Sequence, residues 1–186
     1  CHALAGIVQI KRDVHSGRYA PGLLREMEVP RDGRRPRILA VPCVRDRILQ
    51  TAVAQILSPM LDPFFANESH AYRPGRSVAS AIEQVIQARE DGLRWVADAD
   101  ISDYFDSIPH QAVLDRLDAA LADRSLRAMI AVWLATPAVA GLTRRQRNIG
   151  LPQGSPISPL LANLYLDRFD GLIRQAGRTY VRYADD

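Results

Sequence analysis

Two apolar segments of this chain run straight into aspartate, and that pairing constrains the fold more than any other feature. Leu93 to Ile101 reads as a buried strand ending among acids, since residues 98–106 hold Asp98, Asp100, Asp103 and Asp106 and no cation. Thr179 to Asp186 reads as a second strand breaking into a turn at Asp185-Asp186. An acid where a strand meets a turn can face a cleft, so Asp100 and the terminal pair can share one. Two carboxylates about 4 Å apart repel by roughly 4 kcal/mol at an effective dielectric of 20. A fold that gathers them must raise their pKa or hold a cation. Mg²⁺ suits such a site, because it takes oxygen ligands and leaves positions open for water and phosphate. Two such ions about 3.5–4 Å apart clamp the attacking and leaving oxygens of an in-line phosphoryl displacement. The plain alternative is a set of solvated turn acids.

The charge distribution points the same way. Residues 31–47 carry six arginines (Arg31, Arg34, Arg35, Arg37, Arg45, Arg47) against two acids, and Lys11 is the only lysine among 24 cations. Arginine holds phosphate through a planar fork of donors, although a GC-rich genome also favours arginine codons. A basic segment beside an acidic knot suggests a polyanion held near metal-binding carboxylates. The longest apolar run, Ala128 to Ala135, is far short of the ~20 residues of a membrane span. Cys1 and Cys43 cannot make a disulfide framework, and neither has zinc-ligand spacing, so the expected setting is a reducing cytoplasm. The chain has no P-loop, HExxH or GxSxG. It begins without Met and stops inside an acidic turn, which reads as a piece of a longer polypeptide.

Along the chain, residues 1–18 suit a helix stopped at Ser16-Gly17. Glu26 to Pro42 suits a hairpin turning at Arg31-Asp32-Gly33. Asp46 is expected to cap a helix over Arg47–Leu57, ended by Pro59 and Pro63. Ser77 caps a helix to about Asp91, Pro109 opens one to about Leu121, and others fit Ser125–Ala135 and Ser155–Gln175. Gly141 to Leu151 reads as a polar loop and strand. This order of helices and hairpins predicts an α+β fold rather than alternating βαβ units.

Tyr183-Ala184-Asp185-Asp186 resembles the metal-binding turn of reverse transcriptases. WVADADISDYFDSIPH (95–110) is similar to that family's first carboxylate motif, and GLPQGSPISPLLANLYLDRFD (150–170) to its substrate-binding motif. RRPRILAVPCVRDRILQ (34–50) and SHAYRPGRSVASAI (69–82) resemble finger motifs of group II intron-encoded and related bacterial enzymes. The set covers most of residues 18–186 in family order. The resemblance implies the fingers and an incomplete palm of a right-hand fold with the thumb absent. Fingers would take 1–92 and part of 111–148, and palm 93–110 and 149–186.

By resemblance, Asp100, Asp185 and Asp186 would be catalytic and would bind two Mg²⁺ ions, with the Ile101 carbonyl helping and Mn²⁺ able to substitute. Phe105 would exclude a 2′-hydroxyl, Arg35 and Arg37 would hold the triphosphate, and Gln153 and Gly154 would meet the incoming nucleotide or template base. Arg73 and Arg76 would make template-backbone or structural contacts. Each has a plainer alternative: Phe105 as core, the arginines as solvated hairpin residues, Gln153 as a helix cap. Asp103 and Asp106 read as structural, Asp106 bonding backbone in its turn, and His110 as a capping or packing group. The implied activity is RNA-directed DNA polymerisation, with an RNA template, a DNA or RNA primer and dNTPs. Its setting is CRISPR spacer acquisition beside integrase proteins or group II intron mobility with intron RNA, with no membrane. His70-Ala71-Tyr72 stands where intron enzymes more often show Tyr-Gly-Phe and leans toward the CRISPR-associated branch. A non-catalytic RNA scaffold of the same fold is the competing reading.

Overall fold

Helix starts follow the residues that mark them in this computed structural model, which describes residues 2–33 and 36–186. Helix α1 spans His2–His15, followed by the antiparallel strands β1 (Leu24–Val29) and β2 (Arg37–Val41). Next come α2 (Val44–Leu61), a 3₁₀ turn (Asp62–Phe64) and α3 (Val78–Glu90). A short α4 (Tyr104–Ser107) leads to α5 (His110–Ala120), α6 (Arg124–Leu134), β3 (Ala138–Ala140), β4 (Thr143–Arg145) and the long α7 (Ser158–Gln175). Ser77 accepts from the Ser80 amide while Ser80 Oγ accepts from the Ser77 amide, a reciprocal cap that starts α3. Asp123 caps α6 by accepting from the Ser125 and Leu126 amides.

Two expectations at α2 are corrected. The helix starts at Val44 and continues past Pro59, which lies inside it. Asp46 is not its cap: buried in the first turn, it accepts from Tyr19 Oη (2.8 Å), the Gly22 amide (2.8 Å) and Cys43 Sγ (3.2 Å). Trp133 Nε1 donates to the same Tyr19 oxygen at 2.9 Å, so one buried carboxylate joins the N-terminal segment, α2 and α6. Burial of this carboxyl is offset because both of its oxygens have hydrogen-bond donors.

The sheet runs β2-β1-β3-β4, with β1 and β3 parallel. The main core is helical. Leu57 and Leu61 of α2, Leu117 of α5, Ile130 and Leu134 of α6, and Leu161 and Leu164 of α7 are fully buried together. Tyr104, Ile108, Leu151 and Ile157 carry this core up to the acidic segments. The architecture is α+β, as expected.

The expected strand at Leu93–Ile101 does not form. Every residue from 91 to 103 is exposed, Trp95 at 96% and Val96 at 83%. A strand needs a neighbour for its backbone groups, and among the described residues this segment meets one only at its last residue, Ile101. Thr179 to Asp186 likewise reduces to a single parallel bridge, Ser69 to Arg182.

Candidate active site

Asp185 and Asp186 sit on a tight turn whose shape is set from below. The Tyr183 amide donates to the Asp186 carbonyl (2.9 Å) and the Asp186 amide returns a bond to the Tyr183 carbonyl (3.2 Å). Between them Ala184 adopts φ +63°, a left-handed conformation that costs an L-residue about 1–2 kcal/mol. Arg182 supports it. This arginine is 4% exposed and donates from Nη1 to the Ala184 carbonyl (2.8 Å) and Asn163 Oδ1 (3.1 Å). Its other donors reach Ser69 Oγ (2.8 Å) and both oxygens of Asp170 (2.8 and 2.6 Å). Asn163 and Asp170 belong to α7, so the turn is pinned to that helix through a fully bonded buried ion pair.

The other acid segment reaches this turn at one point. The Ile101 amide donates to the Asp185 carbonyl at 3.2 Å, which sets Asp100 beside the Asp185-Asp186 turn. Loss of solvent raises the Asp186 pKa, and the neighbouring charges of Asp185, Asp100 and Asp98 raise it further.

Beyond Asp100 the chain bends under the Leu151–Gly154 turn. Asp103 takes φ +49°, which Asp tolerates, and its carbonyl accepts from the Asp106 and Ser107 amides (3.0 Å each). Phe105 and Ile108 then hold the turn, their carbonyls accepting from the Leu151 (2.6 Å) and Gly150 (2.8 Å) amides. Position 150 requires glycine: at φ +84°, a Cβ would stand 2.7 Å from the Asp106 carbonyl oxygen. His110 packs as expected, donating from Nε2 to the Gly150 carbonyl at 2.8 Å. Its pKa is lowered by loss of solvent, with Arg147 adding to the effect.

Gln153 does not cap a helix, since α7 starts only at Ser158. Its Nε2 donates to Asp106 Oδ2 at 3.0 Å, so Asp106 bonds a side chain where a backbone partner was expected. The Gln153 carbonyl accepts from the Ala40 amide of β2 at 2.7 Å, and a Cβ on Gly154 would meet Val41 Cγ2 at 3.1 Å. The turn is therefore wedged between the β1/β2 hairpin and the Phe105–Ile108 segment. Phe105 is half-buried, edge-on to the buried Tyr104 at 5.6 Å.

Burial raises the pKa of both Asp106 and Tyr72, and Arg37 of β2 lies close enough to oppose that rise at each. Tyr72, at φ +59°, feels Asp185 and Asp186 in turn. Tyr72, Asp103 and Ala184 are the three non-glycine residues with positive φ among those described: Ala184 lies in the acidic turn, Asp103 three residues after Asp100, and Tyr72 near enough to feel Asp185. Strain of this kind concentrates at functional sites. Arg35 lies outside the described residues. Arg73 shows the structural one of its two expected roles: buried, it donates to Asp62 Oδ1 (2.8 Å) and to the Ala66, Ser69 and Asp62 carbonyls. Arg76 reaches the Asn67 carbonyl (2.5 Å) and Oδ1 (3.0 Å).

Asp98, Asp100, Asp185 and Asp186 carry only oxygen donors, the kind a hard divalent cation takes. Among the described residues, no three His, Cys, Asp or Glu side chains are close enough to hold a metal ion. The acids are neighbours, not a closed cage.

Sequence reasoning missed Asp170, Arg182, Asn163 and Ser69. The Arg182–Asp170 pair spans only twelve positions, but nothing in the residue types says that both are buried.

These features place the aspartates of two loops side by side at the edge of an α+β fold. The profile described as Reverse transcriptase (RNA-dependent DNA polymerase) matches residues 29–186, and the chain belongs to that family. It is 35% identical over 180 residues to Protein YkfC of Escherichia coli K12, covering 92% of this chain and 46% of that protein. It is 31% identical over 177 residues to the group II intron-encoded protein LtrA of Lactococcus lactis, covering 95% of this chain and 29% of LtrA. The chain thus spans less than half of these relatives. Among solved structures it is similar to a chain of a partial Cas6-RT-Cas1–Cas2 complex, with TM-score 0.62, 33% identity, and 98% of this chain and 32% of that one covered. A telomerase from Candida albicans, at TM-score 0.66 and 10% identity over 98% of this chain and 42% of that one, shares the fold. Together these matches establish the fold as reverse transcriptase fingers and palm. Members of the family in general use divalent metal ions. No helix among the described residues is long and apolar enough to cross a membrane.

Proposed function

We propose that this chain forms the nucleotide-joining part of an RNA-directed DNA polymerase. The supporting observation is the Ile101–Asp185 backbone bond, which draws both acid segments into one cleft with Phe105 and Gln153. In this reading residues 1–92 and part of 111–148 act as fingers, and 93–110 and 149–186 as palm.

Asp100, Asp185, Asp186 and the Ile101 carbonyl would hold two Mg²⁺ or Mn²⁺ ions, which supply charge neutralisation for an in-line displacement. In the reaction, a primer 3′-hydroxyl attacks the α-phosphate of a dNTP and pyrophosphate leaves. The protein's part is positioning and electrostatics. Arg37 and Arg35 attract the triphosphate, Gln153 and Gly154 border the nucleotide, and Phe105 packs where a ribose 2′-hydroxyl would sit. Arg76 is kept as a template contact.

We place the enzyme in a bacterial cytoplasm, working with CRISPR integrase proteins on RNA-derived spacers, a reading supported by its similarity to a chain of a Cas6-RT-Cas1–Cas2 complex. Group II intron mobility with an intron RNA is the second reading, favoured by the match to LtrA. His70 does not separate the two, because its buried ring is spent on Ser80 Oγ and Gln84 Oε1 of α3.

The test is Asp185→Ala with Asp186→Ala in the full protein, assayed for dNTP incorporation on a primed RNA template and for RNA binding. Loss of incorporation with binding retained is expected. Equal incorporation by variant and parent would overturn the proposal in favour of an RNA scaffold.

A further inference from the structure

Gln153 faces the proposed nucleotide site with an amide that could turn either way, offering NH₂ or C=O, and one contact decides between them. An ionised carboxylate only accepts hydrogen bonds. Asp106 Oδ2, 3.0 Å from Gln153 Nε2, therefore takes the NH₂ end and leaves Oε1 pointing away from it. The backbone on both sides is fixed independently of this bond. Leu151 and Gly150 are tied to Phe105 and Ile108, and the Gln153 carbonyl is tied to Ala40. The side-chain torsions are the freedom that remains, and the bond to Asp106 restrains them at the amide end. Burial raises the Asp106 pKa and the Asp103 charge adds to it, while Arg147, the Gln153 hydrogen bond and Arg37 oppose the rise.

We infer that Asp106 is a positioning residue that orients the Gln153 amide so that its oxygen meets a hydrogen-bond donor on the incoming nucleotide, a sugar hydroxyl or a base N–H. This rests on the polymerase reading above. Asp106 touches no substrate; it acts through Gln153.

The experiment is a double-mutant cycle in the full protein, with single-nucleotide incorporation on a primed RNA template. Asp106→Ala is expected to raise the KM for dNTP about tenfold with kcat little changed, as for loss of one charge-assisted hydrogen bond. In a Gln153→Ala background the same substitution should change KM less than twofold, because its target is gone. Asp106→Asn, which keeps an acceptor, should recover part of the loss and covers the case in which Asp106→Ala fails to fold. A KM effect of equal size in both backgrounds, or none in the parent, overturns the inference. A readout free of activity is the Gln153 side-chain amide signal in a ¹⁵N–¹H spectrum. It should be protected from exchange in the parent, unprotected in Asp106→Ala and intermediate in Asp106→Asn, which keeps an acceptor. An unprotected signal in the parent sinks the inference even if dNTPs are incorporated. Protection lost on mutation, in a protein that incorporates no dNTP, upholds the orientation by Asp106 while the polymerase reading falls.

Discussion

The two segments that carry the acids are built in opposite ways. Asp185 and Asp186 ride a turn held by Arg182, whose donors reach Asp170, Asn163, Ser69 and the Ala184 carbonyl inside the protein. Asp100 rides an exposed stretch that meets that turn through one backbone bond. The difference teaches where preorganisation comes from. The terminal pair is placed by a side-chain network of fixed geometry, so its position is a property of α7. The place of Asp100 depends on backbone pairing at its end alone. Both must be set for a two-segment carboxylate site, and they draw on different sources of stability.

Removing one partner from the buried pair should have the largest effect. Asp170→Ala strands the Arg182 charge, whose side chain is 5% exposed, and is expected to cost about 3–5 kcal/mol in urea unfolding. Asp98→Ala, in the open segment, should change stability by less than about 0.5 kcal/mol. Similar losses from both would break the comparison.

The two tryptophans sharpen it. Trp133→Ala, in the core beside Tyr19, should cost about 3–5 kcal/mol. Trp95→Ala in these 186 residues should move stability by no more than about 0.5 kcal/mol. A large loss at Trp95 would show that the open segment is packed after all.

The smallest effect is a pH dependence. Burial holds the His110 pKa below its ordinary value, so the unfolded chain takes up a proton more readily than the folded one. The stability this protects is fully present above about pH 6.5 and falls as pH drops below it toward the lower folded value. His110→Gln should flatten the decline between about pH 6.5 and 5 in pH-stepped urea melts. An unchanged slope would contradict the assignment.

Much of this was legible because it is local chemistry. Ser77 with Ser80, Pro109 before α5 and Arg31-Asp32-Gly33 between strands mark their own ends through capping and turn preferences. The site motifs were legible as strings of residue types. What stayed hidden depends on burial. Asp46 has the look of a cap and is a buried hub, because Tyr19 and Gly22 come to it from 27 and 24 positions away. Arg73 carries the same charge as Arg37, yet Arg73 is buried among carbonyls and Arg37 is exposed at the cleft. Trp95 and Val96 have the composition of a buried strand, but pairing is a property of the neighbour, which the segment itself does not encode.

The claim everything else leans on is that the carboxylates of these unlike segments serve one centre. Mn²⁺ binding to the full protein, followed by the loss of the free-ion electron paramagnetic signal, addresses it directly. Asp100→Asn and Asp185→Asn should each weaken the same binding event by at least about tenfold. Unchanged Mn²⁺ affinity in Asp100→Asn, alongside a clear loss in Asp185→Asn, would mean that the exposed segment takes no part in the site.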